Sequence, residues 1–390
     1  VDADICTIDQ LKKYITLSPQ EEERMERIVR RHPMRITPYY SSLIDWSDPS
    51  DPIRKMAVPS LDESDLQGSY DTSGEAENTK LPGLQHKYAE TVLILATNRC
   101  AMYCRHCFRK RLVGLPNEEV LKRFEDAAEY IRRHEEVNNV LISGGDPLVL
   151  PTKIIGSLLS MLSDISHLNF IRFGSRAPVT LPSRFDDQEL LTTLKTHSRP
   201  DRRLYVVTQF NHPREVTEQS TRAVANLTKS GVVLSNQTVL LKGVNDDPAV
   251  LADLQNKLVS IGVNPYYVFQ CRPVKRVKHH FQVPICRGLE VVEQAKAQCN
   301  GHSKRFKYIM SHKSGKIEIF GTLDDEVYFR YHQAKNRKNL GKLFKRDVNE
   351  TASWLDDFKP VHGSPEDREA VLSLPTLPPL CRRDFSGSGT

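Results

Sequence analysis

Long apolar runs are missing from this chain of 390 residues, and so is any strong excess of charge. No stretch approaches the roughly 20 apolar residues that a membrane span needs, so a helical membrane protein is not expected. No charged-then-apolar leader of secretory type opens the sequence either. Aromatic residues are sparse at 7%, and the net charge of +6 is mild. The densest basic segment, KNRKNLGKLFKR from Lys335 to Arg346, has too little aromatic interleaving to stack bases. It reads as a solvated helix face, and nucleic acid is not expected as a partner. The eight cysteines show no disulfide-like pairing, which places the chain in a reducing, cytoplasmic setting. With 39% hydrophobic and 27% charged residues, the length suits one large domain with appendages, or two domains.

What is present is concentrated in one segment, TNRCAMYCRHCFRKR, which holds Cys100, Cys104 and Cys107 at the spacing C-x3-C-x2-C. No fourth cysteine lies nearby. Three thiolates can hold three irons of a cubane [4Fe-4S] cluster and leave the fourth iron open, whereas clusters that only carry electrons generally have four cysteine ligands. The competing reading is a Cys3His zinc site that recruits His106. Zinc sites usually add a second ligand pair further along, and His106 is adjacent to Cys107, a poor arrangement for tetrahedral wrapping. Cys6, Cys271, Cys286, Cys299 and Cys381 are scattered and read as ordinary thiols.

Along the chain, residues 1–84 read as a helical and then extended wrap. A helix is expected from Ser18, which is followed by acidic residues suited to a helix N-terminus. DTSGEAENTKLPG, at 71–83, reads as a flexible polar stretch. From 85 to 300 strand and helix patterns alternate in six units, which implies a parallel sheet covered by helices: an α/β fold, an open partial (β/α)6 barrel of TIM type. Each strand ends in a polar or glycine-rich cluster (NRC, SGGDP, GSR, TQFNHP, SNQT, QCR), where parallel barrels carry their functional groups. Residues 301–349 read as a β-containing extension, with a hairpin turning at SGK. The tail, 350–390, reads as irregular with little core material.

The cysteine segment resembles the signature of radical S-adenosylmethionine (SAM) enzymes, whose open iron binds the amino and carboxylate groups of SAM. MYCRHCFRKR, LISGGDPL, IRFGSRAPVTLP, FNHPREVTEQSTRA, LSNQTVLLKGVNDD and NPYYVFQC together resemble the lysine 2,3-aminomutase family from about 33 to 290. That resemblance implies cluster ligation by Cys100, Cys104 and Cys107. It places Tyr103, His106, Ser143, Gly144, Gly145 and Asp146 around SAM, together with Ser175, Arg176, Gln209, Asn236 and Gln237. It implies that Arg109 grips the amino-acid carboxylate, the task a bidentate guanidinium performs best. It also implies an electron donor such as flavodoxin or ferredoxin, and leaves a homo-oligomer open.

Three departures from the family pattern bear on the reaction. Family aminomutases bind pyridoxal 5'-phosphate (PLP) on a lysine in a glycine-rich segment, which is missing here; the aligned point is Lys316 in SHKSGK. The family's HRYPDRVL reads HKYAETVL, so Lys87 stands where an arginine near the PLP phosphate is expected. An aspartate that meets the substrate ammonium in lysine-specific members is Arg272, and a second acidic partner aligns loosely with Met310. Arginine cannot pair with an ammonium, so the substrate is expected to carry an acidic or neutral side group rather than be free lysine. The lost glycine-rich segment favours hydrogen abstraction without PLP; a PLP-dependent 1,2-amino shift on Lys316 is the alternative. A non-catalytic iron–sulfur or zinc regulator is a third reading, opposed by the intact SAM-side motifs.

Overall fold

The structure is a computed structural model that describes residues 3–116 and 118–358. Its frame is one sheet of twelve strands in sequence order. The strands are β1 Thr79–Leu81, β2 Leu84–Tyr88, β3 Thr91–Thr97, β4 Asn139–Gly144, β5 Phe170–Gly174, β6 Leu204–Thr208, β7 Val233–Leu240, β8 Asn264–Gln270, β9 Lys307–His312, β10 Gly315–Leu323, β11 Glu326–Ala334 and β12 Leu343–Asp347. Strands β3 to β9 pair in parallel. The flanking strands, β1–β2–β3 on one side and β9–β10–β11–β12 on the other, pair antiparallel. The sheet curls without closing: β1 and β12 are its two edges.

One long helix separates each pair of parallel strands from β3 to β9: Phe124–Arg132, Thr152–Ser163, Gln188–His197, Glu218–Lys229, Pro248–Ser260 and Ile285–Ala297. These are the six expected units. Their apolar stripes cover the outer face of the sheet, because strands alternate sides with a period of two. In β7, Leu234, Asn236, Thr238 and Leu240 are buried outward, while Gln237 and Val239 face the concave side.

The helix expected after Ser18 spans Pro19–Arg31, with a capping box between Ser18 and Glu21 and basic residues in its last turn. Three segments differ from expectation. Residues 71–83 are ordered: the Asp71 carboxylate accepts from the backbone N–H of Glu75 and Ala76, the Glu75 side chain is buried, and β1 follows. The basic segment forms no α-helix but one short 3-10 turn, Arg337–Asn339, leading into β12. The start of the tail contributes core, since Ala352, Trp354 and Phe358 pack in a cluster with Val327, Phe329 and Phe344. Two large rings outweigh the Asp and Ser around them. The rest of the tail lies outside the described residues. The sheet runs unbroken across the boundary expected at 300, joining β8 to β9.

Candidate active site

The concave face encloses a cavity of about 320 Å3. At one end lies the loop between β3 and the next helix, carrying Cys100, Cys104 and Cys107, all three lining the cavity. Their sulfurs do not converge as a mononuclear site would: among the described residues no three His, Cys, Asp or Glu side chains could hold one metal ion. A cubane would bind each of the three thiolates to a separate iron. Burial pushes the Cys107 thiol up to about 11 and Cys100 well above its ordinary value, so these thiols stay protonated until a metal displaces the proton.

The N-terminal wrap holds this loop by its backbone and by buried charge. Tyr103 N–H donates to the Arg35 carbonyl (3.0 Å) and Arg105 N–H to that of Met56 (2.9 Å). The fully buried Glu63 carboxylate accepts from Arg105 Nε (2.7 Å), Arg105 Nη2 (2.6 Å) and Lys110 Nζ (2.6 Å). Burial alone would raise the Glu63 carboxyl, but these two cations hold it at about 2.

The β4 loop packs directly on the cysteine loop. Gly145 N–H donates to the Thr97 carbonyl (2.6 Å) and Asp146 N–H to that of Arg99 (2.8 Å). A Cβ on Gly144 or Gly145 would stand 2.3 Å from a backbone oxygen, and Gly144 has φ +113°. The glycines are thus required by loop-on-loop contact at a strand end. The Asp146 carboxylate accepts from Ser175 Oγ (2.7 Å) and Arg176 N–H (2.8 Å), tying the ends of β4 and β5 together. His106 Nε2 lies 3.1 Å from the Gln209 amide nitrogen and 3.2 Å from that of Asn211, so it accepts and Nδ1 carries the proton. That buried Nδ1 has no protein partner. Burial holds the imidazole well below its ordinary pKa, hence neutral.

The cavity wall is also cationic. Arg109 and Arg272 take the Phe108 ring at 4.4 and 4.2 Å from its centre. Arg109 Nη1 donates to Ser143 Oγ (3.0 Å), and its buried Nε has no hydrogen-bond acceptor. Arg272 donates to Ser73 Oγ and Ser311 Oγ, both at 3.0 Å. Burial pulls Arg272 down to about 10, which leaves it charged at neutral pH. Glu75 lies among three arginines, 2.6 Å from Arg111 but 3.9 Å from Arg109 and 4.0 Å from Arg272. Lys87 Nζ donates to the carbonyls of Ser73 (3.2 Å) and His312 (2.7 Å). Arg172 enters from β5, held by Asn139 at 2.8 Å. Lys316, in β10 just past the hairpin turn, points inward, and burial with the nearby Arg172, Arg272 and Lys87 lowers it to about 7.

Of the residues expected from the sequence, Ser143, Gly144, Gly145, Asp146, Ser175, Arg176, Gln209 and Gln237 line the cavity, as do Arg109, Arg272, Lys87 and Lys316. Tyr103 and Asn236 are not in its wall. The Tyr103 ring packs on Gly114, and the Asn236 side chain is tied to Phe210 and Thr238 on the outer face. Met310 also faces away, into the core; its neighbour Ser311 is the one turned inward. Glu75, Phe108, Arg172, Gln85 and Gln333 are lining residues that the sequence reading missed. An acid flanked by Asp71 and Gly74 just before a strand was the available signal for Glu75.

The Radical SAM superfamily model matches residues 94–254. The L-lysine 2,3-aminomutase of Clostridium subterminale is 42% identical over 76% of this chain and 71% of its own length. A protein of Aquifex aeolicus provisionally named L-lysine 2,3-aminomutase is 43% identical over 89% of this chain and 93% of its own. The chain belongs to the lysine 2,3-aminomutase family of radical SAM enzymes. Glutamate 2,3-aminomutase of Clostridioides difficile, another relative, is 38% identical over 76% of this chain and 69% of its own length. Membership makes the chain an enzyme of isomerase type, and the family implies SAM and a [4Fe-4S] cluster. No helix among the described residues is long and apolar enough to cross a membrane.

Proposed function

We propose that this enzyme shifts the amino group of an amino acid bearing a side-chain carboxylate, with PLP held by Lys316. The observation that carries the reading is the placement of Lys316: a lysine lowered to about 7, in the cavity wall, without a hydrogen-bond or ion-pair partner among the described residues. A lysine desolvated in this way is partly neutral at physiological pH, the state in which its nitrogen can bond to an aldehyde. The lost glycine-rich segment is thus compatible with PLP, because the β9–β10 hairpin delivers the lysine to the cavity by another local route.

The residues present fit these groups. Cys100, Cys104 and Cys107 would hold the cluster, with the neutral His106 beside them. Lys87 and Arg172 supply the positive charge that a PLP phosphate needs. When bound, reduced cluster and SAM would supply a 5'-deoxyadenosyl radical that takes a hydrogen atom, and PLP would carry the migrating nitrogen. The chain's own task is to bind, orient and exclude water. Arg109, with an unused Nε, would take the α-carboxylate, and Arg272 the side-chain carboxylate. Glu75 keeps this pair of guanidiniums from being a bare double charge yet stays too far to occupy their donors. Met102, Val113, Leu93, Leu141, Val207 and Phe269 supply the apolar wall that keeps the cavity dry. The family's glutamate-named relative has the same substrate chemistry in its name.

The test is anaerobic reconstitution with iron, sulfide and PLP, then borohydride reduction and peptide mapping. A phosphopyridoxyl group on Lys316, with turnover of glutamate or aspartate but not lysine, is expected. A cluster that cleaves SAM with no adduct would instead support the PLP-free reading. Protein that never cleaves SAM would overturn both.

A further inference from the structure

Arg176 ends β5, and the family resemblance places it around SAM. Its hydrogen bonds lead elsewhere. Nε donates to the Gln209 carbonyl (3.1 Å), Nη1 to Cys104 Sγ (2.8 Å), and Nη2 to Tyr40 Oη (3.1 Å) and to the Glu215 carboxylate. Nη2 also approaches Met56 Sδ (3.6 Å), and of the five N–H donors of a guanidinium only the second on Nη1 has no acceptor among the described residues. Glu215 is fully buried and outside the cavity wall. Its Oε1 also accepts from Tyr40 Oη (2.6 Å), and its Oε2 from the backbone N–H of Asn211 (2.6 Å) and His212 (3.0 Å). The carboxylate cannot turn to another partner, and it fixes the guanidinium against the sulfur.

We propose that Arg176 is a positioning residue for Cys104, not a SAM ligand, and that the Arg176–Glu215 pair sets how readily the cluster accepts its electron. The inference rests on the cluster reading above. Potentials of iron–sulfur clusters follow net charge, hydrogen bonds to the sulfurs and solvent exposure. Here a buried cation donates directly to one ligand sulfur, and a buried anion directly behind it compensates the charge. One electron enters from a low-potential donor of the ferredoxin or flavodoxin class; no bond forms at Arg176 and no proton moves there. The cation stabilises the reduced cluster and the anion opposes it, so the two residues act with opposite signs.

The experiment is a redox titration of anaerobically reconstituted protein, followed by electron paramagnetic resonance with and without SAM, with iron content measured alongside. Arg176→Gln is expected to lower the potential relative to wild type, Glu215→Gln to raise it, and Arg176→Lys to fall between wild type and Arg176→Gln. All three are expected to keep the spectral change that SAM causes. A misfolded loop would lose iron in Arg176→Gln and Glu215→Gln alike rather than shift their potentials in opposite directions. Should Arg176→Gln load no iron, Arg176→Lys and Glu215→Gln carry the comparison. Potentials that stay at wild type, or move together, overturn the proposal. So does an Arg176→Gln cluster of unchanged potential that no longer senses SAM, which would make the residue a SAM ligand. Wild-type protein that binds no cluster would overturn the functional reading first, and this one with it.

Discussion

Lys316 Nζ stands 5.1 Å from the centre of the Tyr267 ring. Burial and the nearby Arg172, Arg272 and Lys87 outweigh what the ring face and the Glu90 carboxylate give back to the ammonium, so its proton is held weakly. The reactivity of Lys316 toward an amine-selective reagent should therefore rise as pH passes about 7, where the neutral amine becomes the major form. An ordinary lysine would respond near 10.4. Mass mapping of labelled peptides across a pH series checks this; a rise only above about pH 9 would contradict it.

Arg272→Ala should raise KM for a dicarboxylic amino acid and lower kcat/KM about 10- to 100-fold, the worth of a charge-assisted hydrogen bond of about 1.5–3 kcal/mol. Arg272→Asp should go further and favour a substrate with a cationic side chain. Competition between glutamate and lysine in one assay reads both effects.

Glu63→Ala should destabilise the protein by about 3–5 kcal/mol, because it leaves Arg105 and Lys110 buried without their anion. Denaturant unfolding of the metal-free protein measures the loss. In the native protein Glu63 titrates at about 2, below an ordinary carboxyl. Its stabilising effect is thus complete above the unfolded value of roughly 4.3 and is lost as pH falls toward 2. Glu63→Ala should flatten that part of the acid-unfolding curve.

Gly144→Ala should lower iron loading as well as stability. Its φ of +113° strains any side chain, and the new Cβ would press on the Thr97 carbonyl that begins the cysteine loop. The strain is on the order of 1–3 kcal/mol before the clash is counted. Iron content after reconstitution, compared with Gly262→Ala, where nothing lies within 4 Å, separates loop damage from general glycine effects.

Local patterns were enough for much of this. The helix after Ser18 announced itself by its cap, the six strand–helix units by their periods, and the three cysteines by spacing. Those signals fail where a residue's meaning depends on distant neighbours. Asp71 to Gly83 looked like polar loop because Glu75 gains its three arginines only after folding. Asn236 and Gln237 are adjacent and equally polar, and only the register of β7 turns one outward and the other into the cavity. Trp354 and Phe358 were masked by the Pro, Asp and Ser around them.

The sequence alone determined the α/β frame, the three-cysteine loop and the family to which the chain belongs, since periodicity, spacing and long motifs are local properties of the chain. Tertiary structure decided which charges meet. Arg176 lies 72 residues from Cys104 and 39 from Glu215, yet contacts both. Lys87 and Lys316 come together in one cavity because β2 and β10 stand on opposite sides of a curled sheet. In that buried space desolvation and neighbouring charge, neither visible along the chain, set whether each group is free, paired or neutral.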